Sequence, residues 1–402
     1  MAVLRLLPRA LAAAAAALAL ASALPAAAPP AAARTAEPAA LRAAGSWIVT
    51  LRAELQSDAS VGSQAAARAS RDLVDRYGGT VGHVYGAALN GFSIRLGSAQ
   101  AQRLAADPAV RAVHPDGVVR ISAAQTAPPS WGLDRIDQPS LPLDSVYHYP
   151  DSAGAGVTAY VLDTGVRISH HDFGGRASYG HDFVDGDATA EDGNGHGTHV
   201  AGTLAGTAYG VAKKAAIVAV RVLDDTGAGT ISDAIAGIDW VTAHARRPAV
   251  ANLSLGGEAS AELDAALRNS IAAGITYAVA AGNDGADASG SSPARVPEAL
   301  TVGATTRSDA RADYSDYGPV VDLFAPGSGI TSDWPTDDTA TRTLSGTSMA
   351  APHVAGAAAL YLATHTGAGP AEVAGALTRA AAGGKLSEVG SGSPNLLLQI
   401  TG

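Results

Sequence analysis

The sequence predicts two folded units: a doubly wound, mostly parallel α/β sheet, preceded by a smaller α+β unit of ferredoxin-like order. Three observations carry this. Five short runs are almost continuously apolar (Val157–Leu162, Ile217–Val222, Ala249–Ser254, Ile275–Ala280 and Leu300–Ala304), and helical stretches separate them. Strands without a polar face are covered on both sides, which is what helices flanking a parallel sheet do. Upstream, residues 46–121 read β-α-β-β-α-β, the order of a small split βαβ module. Finally, the 402 residues exceed the usual single-domain length of about 100–200.

In chain order, residues 1–33 read as a cleaved export signal. Arg5 and Arg9 precede an Ala/Leu run from Ala10 to Leu24, and small residues follow. The competing reading, a membrane anchor, meets a run too short for a bilayer and closed by Pro25, Pro29 and Pro30. Residues 34–46 are Ala-rich without periodicity and read as a linker. SWIVTLR (46–52) alternates as a strand does, Ser63 can cap a helix running to Tyr77, and Gly78-Gly79 ends it. Strand-like runs follow at Thr80–Tyr85 and Gly91–Leu96, Ser98 opens a second helix that Pro108 stops, and Val110–Val113 or Val118–Ile121 supplies the last strand. SAAQTAPPSWG (122–132) is small, polar and Pro-interrupted, as an exposed boundary should be. The expected division is therefore a leader at 1–33, a linker and small domain at 34–124 with its core at 46–121, and a large domain at 125–402.

Composition narrows the function. The chain has no cysteine, so thiol catalysis and thiolate metal sites are excluded, and a core of this size can manage without disulfides. The net charge of −10 is unevenly split, with 12 basic against 7 acidic residues in 1–124 and 15 against 30 in 125–402. That balance argues against a nucleic-acid partner for the C-terminal part and suits a soluble, secreted protein; a monomer is the expected state, though nothing in the charge bears on it.

Three small-residue-rich segments carry the chemistry: AYVLDTGV (159–166), GNGHGTHVAG (193–202) and LSGTSMAAPHVAG (344–356). Each holds out one member of an Asp, His, Ser set, which is the nucleophile, base and orienter that acyl transfer needs. Asp163 follows an apolar strand, where a buried carboxylate could reach an imidazole. Ser348 enters an Ala/Gly-rich helix, so its own N–H points outward and can stabilise an oxyanion; Ser345 reads as structural. Ala350 breaks the G-x-S-x-G elbow of another hydrolase class. His196 and His199 lie three apart at a helix start, and only one can be the base. A zinc pair is the rival reading, with no Glu or Cys nearby to complete it.

These segments, in the order Asp, His, Ser, resemble the subtilisin family of serine proteases from about Trp131 to the C-terminus, and around WGLDRIDQ (131–138) the chain is most similar to the proteinase K and aqualysin branch. The resemblance implies a secreted serine endopeptidase acting on polypeptides, with Asp163, His196 and Ser348 as triad. It makes His196 rather than His199 the base, and Asn283 of AVAAGNDG (278–285) the side-chain oxyanion donor. Ser254, Leu255 and Gly256 and, opposite, Gly227, Ala228 and Gly229 resemble the two edges that clamp an extended substrate. Ala280, Ala281 and Gly282 should line the pocket for the residue before the scissile bond. With nothing charged visible there, apolar or aromatic residues are expected, within broad specificity.

Asp322 with the carbonyls of Pro297 and Ala299 resembles a structural calcium site, and Asp134, Asp137, Gln138 and Asp144 resemble a second, where Val146 replaces a polar ligand. No organic cofactor is implied. The small domain resembles the family's inhibitory propeptide, which implies an intramolecular folding aid and inhibitor, self-cleavage near Ala123–Gln125 and a mature chain of about 125–402. His170 and His171 read as surface residues, and the sequon Asn252-Leu253-Ser254 as buried. A catalytically silent scaffold and an esterase are the rival classes.

Overall fold

A computed structural model describes residues 45–52, 59–85, 90–116 and 122–400. The expected leader, most of the linker and the strand alternative Val118–Ile121 lie outside the described residues. The chain divides into two compact units, Met1–Val119 and Arg120–Gly402.

In the first unit a four-stranded antiparallel sheet has the order Thr80–Tyr85, Gly91–Arg95, Ser46–Leu51, Val110–Pro115. Helices Ala59–Tyr77 and Ser98–Ala105 complete the β-α-β-β-α-β order. Val49, Leu51, Leu73, Phe92, Ile94 and Leu104 form its core. Val110–Pro115 closes the sheet against Ser46–Leu51.

The second unit is built on a nine-stranded sheet. Its order is Ala382–Gly383, Leu396–Leu397, Leu323–Pro326, Leu300–Thr305, Thr276–Ala280, Ala249–Leu253, Thr158–Asp163, Ala216–Arg221, Ala177–Asp182. All neighbours are parallel except the first pair. The continuous apolar runs are explained by the two faces. Ala159 and Val161 point into one core with helices His196–Ala205 and Thr347–Leu362, while Tyr160 and Leu162 point into the other with Ile231–His244 and Ala261–Ala272. Period-2 alternation is present, but both phases are buried, so it cannot be seen as polarity.

Connections leave Thr158–Asp163 in both directions, since Ala216–Arg221 flanks it on one side and Ala249–Leu253 on the other. The carboxyl ends of these central strands therefore form the crevice where ligands bind in doubly wound sheets. Asp163 and Ser254 sit on either side of it. Ser122–Thr126, within the expected open boundary, is itself a strand paired antiparallel with Val146–Pro150. No described helix is long and apolar enough to cross a membrane.

Candidate active site

Asp163 ends its strand fully buried. One carboxyl oxygen accepts the Thr164 N–H at 2.8 Å and pairs with His196 Nδ1 at 2.7 Å, and the other has no partner among the described residues. An unsatisfied buried carboxylate oxygen is costly, so the remaining bonds fix the group firmly. His196 opens helix His196–Ala205 directly beside it. Gly197 makes that approach possible: a Cβ there would lie 2.1 Å from the Gly165 carbonyl oxygen and 3.2 Å from Asp163 Cβ. Burial works against protonating His196, but the charge and hydrogen bond of Asp163, helped by the charge of Asp192, outweigh it and raise the imidazole above its ordinary pKa.

Asp192 was not singled out in the sequence. Its buried carboxylate accepts from the Asn194, Gly195 and Thr198 N–H groups and from the Thr164 and Thr198 hydroxyls. Thr164 Oγ1 in turn accepts the Gly197 N–H at 2.9 Å. The strand end carrying Asp163 and the helix start carrying His196 are thus tied together. The readable signal was an acid four residues before His196, where an oxygen can cap the orphan N–H groups of a helix start.

His199 points elsewhere. It is fully buried, its Nε2 bonds the carbonyls of Ile330 and Arg342 at 3.0 and 3.1 Å, and burial lowers its pKa to about 4. That packing removes it from a zinc pair with His196. His170 corrects the reading of a surface histidine: it is buried, with Nε2 on the Ala340 carbonyl at 3.0 Å, whereas His171 is exposed.

Ser348 is the second residue of helix Thr347–Leu362. Pro352 sits four residues on and has no N–H, so the Ser348 carbonyl lacks its helical donor. Ser254 Oγ supplies one at 2.8 Å and itself receives Asn252 Nδ2 at 2.9 Å, while the Ser348 hydroxyl donates to the Ser254 carbonyl at 3.3 Å. Asn252 and Ser254 are buried, so the sequon is inaccessible. Ser345 Oγ instead accepts the Gly329 N–H at 2.9 Å, a loop-bracing contact.

Asn283 follows strand Thr276–Ala280. Its Oδ1 accepts the Thr347 N–H at 2.8 Å and the Thr347 hydroxyl at 3.0 Å. Because a backbone N–H can only donate, these contacts assign the oxygen and leave Nδ2 without a partner among the described residues. The Ser348 N–H, in the first turn of its helix, has no helical acceptor either. Two free donors thus lie beside the serine, the equipment for holding an oxyanion.

The expected clamp residues line cavities on either side of this centre. Gly227, Ala228 and Gly229 face Ser254, Leu255 and Gly256 across a space of about 510 Å³ that also touches His196. The second, of about 590 Å³, holds Ala280, Ala281, Gly282, Asn283 and Ser348, with Ser254–Gly256 as common wall. Its lining also includes Glu258, Asp284 and Asp316, so the expectation of an uncharged pocket does not hold.

Of the two expected calcium sets, Asp322 accepts among the described residues only the Thr301 N–H, on Oδ2 at 2.8 Å, and burial raises its carboxyl to about 6. A carboxylate so placed suits a hard cation, with Pro297 and Ala299 offering carbonyls alone. The other set spends most of its oxygens internally, although Asp137 Oδ1 is buried without a partner among the described residues. Asp134 accepts from the N–H groups of Asp144 and Ser145, Gln138 Oε1 from Asp144, Asp144 from Val146 and Asp137 from His148. Among the described residues no three His, Asp or Glu side chains converge as metal ligands, so this expected cage is absent as a carboxylate cluster.

Residues 154–394 match the subtilase family, and residues 46–122 match peptidase inhibitor I9. The chain belongs to the subtilase family of serine proteinases, hydrolases with an inhibitor-type propeptide domain. An extracellular serine proteinase of Thermus sp. is 54% identical over 321 residues, covering 80% of this chain and 78% of that protein. A cuticle-degrading serine protease of Arthrobotrys oligospora is 43% identical over 369 residues, covering 88% and 89%. The crystal structure of a cold-adapted subtilisin-like serine proteinase, 54% identical, superposes with a TM-score of 0.65 over 67% of this chain and 97% of that one.

Proposed function

We propose that this chain is a secreted, self-processing serine endopeptidase of broad specificity, made with a leader at 1–33 and released as a mature enzyme of about residues 125–402. The observation that carries the reading is the pairing of Asp163 with His196 at 2.7 Å, with His196 lining a cavity whose Ser254–Gly256 wall is shared with the cavity of Ser348 and Asn283. Ser348 Oγ attacks the peptide carbonyl as His196 Nε2 takes its proton; Asp163 keeps the proton of His196 on Nδ1 and stabilises the imidazolium. Asn283 Nδ2 and the Ser348 N–H hold the negative oxygen. His196 then protonates the leaving amine, and water clears the acyl-enzyme by the same route in reverse. The edges 227–229 and 254–256 bind the substrate main chain, which underlies broad specificity. The walls at Ala280, Ala281 and Gly282 accept apolar and aromatic side chains.

The I9-type domain acts as intramolecular inhibitor until it is cut off near residues 123–125. Calcium, at Asp322 with the carbonyls of Pro297 and Ala299, would stabilise the loops there, while the set at Asp134, Asp137, Gln138 and Asp144 is the weaker second candidate. The names of relatives as extracellular proteinases support secretion, and the monomer is the expected state. The test is a serine-reactive fluorophosphonate followed by peptide mapping, with hydrolysis of a peptide anilide compared with its matched ester. Labelling at Ser348 with cleavage of both substrates is expected. Ester cleavage alone would make the protein an esterase, and no labelling would leave the silent scaffold.

A further inference from the structure

The cavity beside Ser348 holds three carboxylates, Glu258, Asp284 and Asp316, and no Lys, Arg or His. Asp316 differs from the other two because it is only 2% exposed, whereas Glu258 and Asp284 sit at the surface. Its backbone N–H donates to the Gly282 carbonyl at 3.0 Å. Its Oδ1 accepts the N–H groups of Asp284 and Ala286 at 2.9 and 2.8 Å, and no donor among the described residues reaches Oδ2. A Cβ on Gly282 would lie 2.1 Å from that Oδ2, so glycine there is what lets the carboxylate press against the pocket wall. The result is a fixed carboxylate oxygen, shielded from bulk water, on a residue lining a cavity that Ala280, Ala281 and Gly256 also line.

We infer that Asp316 makes this pocket select a long cationic side chain, arginine or lysine, at the residue before the scissile bond. The inference rests on the proposed peptidase reading and refines it. The alkyl stem of either residue packs along the small apolar wall, and its charged tip supplies the donor that Asp316 Oδ2 lacks. A neutral side chain of equal length fills the same space but leaves that oxygen unpaired, and a group left unpaired in a shielded site is a strong basis for discrimination. Glu258 and Asp284 at the rim add long-range attraction for cations. Apolar side chains still enter, but without this gain.

The test uses the mature enzyme and peptide anilides that differ only before the scissile bond, pairing arginine with its uncharged isostere citrulline, and lysine with norleucine. The wild type should favour the charged member of each pair by about tenfold or more in kcat/KM. In Asp316→Asn that ratio should collapse towards one. A merely structural role for Asp316, as the clamp of the Asn283 turn, would lower all four substrates together and leave the ratios unchanged. Charged and neutral partners cleaved equally by the wild type would overturn the inference, even if Asp316→Asn fails to fold. Cleavage of none of the four, with no labelling of Ser348, would instead overturn the peptidase reading on which it rests.

Discussion

Asp333 should cost this protein stability at every pH above about 4, and replacing it with asparagine should remove that cost. It ends strand Ile330–Asp333, fully buried, with neither carboxyl oxygen in a hydrogen bond to a standard donor among the described residues. His170 Nδ1 lies 3.6 Å away but already accepts the Asp172 N–H. Burial, and then the charge and hydrogen bond of the facing Asp172 carboxylate, push Asp333 up to about 9, against a smaller downward pull from Arg176. It therefore keeps its proton, donating it to Asp172. The unfolded chain gives up that proton near pH 3.8. Between those values the native state binds more protons, so stability falls as pH rises, by ~1.4 kcal/mol per unit at the steepest. Integrated to pH 8 the ceiling is ~5–6 kcal/mol, and relaxation around the charge reduces this to ~2–4 kcal/mol. An asparagine side chain in its place has no proton to lose and can donate an N–H to Asp172. For a domain of this size the Asp333→Asn variant should melt about 5–15 °C higher at pH 8 and within a few degrees of the parent at pH 4. Circular-dichroism melts from pH 4 to 9, both chains carrying Ser348→Ala to prevent autolysis, read this directly. A difference that does not grow with pH, or an asparagine variant less stable at pH 8, would refute the reasoning.

Removing the Asn283 amide should lower kcat with little change in KM: Asn283→Ala is expected to cost about 10²–10³, the range known for deleting this type of donor from subtilisin. The kcat/KM profile should rise as His196 loses its proton, with an acidic limb above the ordinary imidazole value because Asp163 outweighs burial. In Asp163→Asn only burial and the charge of Asp192 remain, so the limb should move to lower pH while kcat falls about 10⁴, as in other Ser-His-Asp enzymes. Gly197→Ala would drive a Cβ into the Gly165 carbonyl, and either a displaced His196 with at least about 10²-fold lower kcat or failure to fold should be seen by steady-state kinetics and circular dichroism. Chelation by EDTA should lower the melting temperature by about 5–10 °C at calcium levels near 100 times Kd. Asp322→Asn should abolish that response, and an unchanged response in the variant would move the calcium elsewhere.

Much of this was legible in the residues. The five apolar runs became central strands because their lack of polarity has one physical cause, burial on both faces, and two of the three motif segments meet where Asp163 at a strand end pairs with His196 at a helix start. What stayed hidden depends on partners distant in sequence. Strand Ala177–Asp182 carries Ser178, His181 and Asp182 and so shows no apolar run. Ser122–Thr126 looks like a linker until Val146–Pro150 pairs with it. His170 reads as a surface residue because nothing local announces Ala340 or Asp333 above it. Asp316 lies 33 residues past Asn283, and only the fold sets its carboxylate against Gly282. The calcium set at Asp134–Asp144 rests on the family resemblance, and backbone N–H groups of the same loop take both oxygens of Asp134 and one of Asp144, leaving Asp137 Oδ1 without a partner among the described residues.

The central claim is that Ser348 is the nucleophile of a self-maturing protease, and the most direct test incubates the purified precursor beside Ser348→Ala while following chain mass and casein hydrolysis. The account predicts loss of roughly the first 124 residues and inhibitor-sensitive activity in the wild type alone. Cleavage of the isolated Ser348→Ala chain at the same boundary, or an intact and inactive wild type, would contradict it.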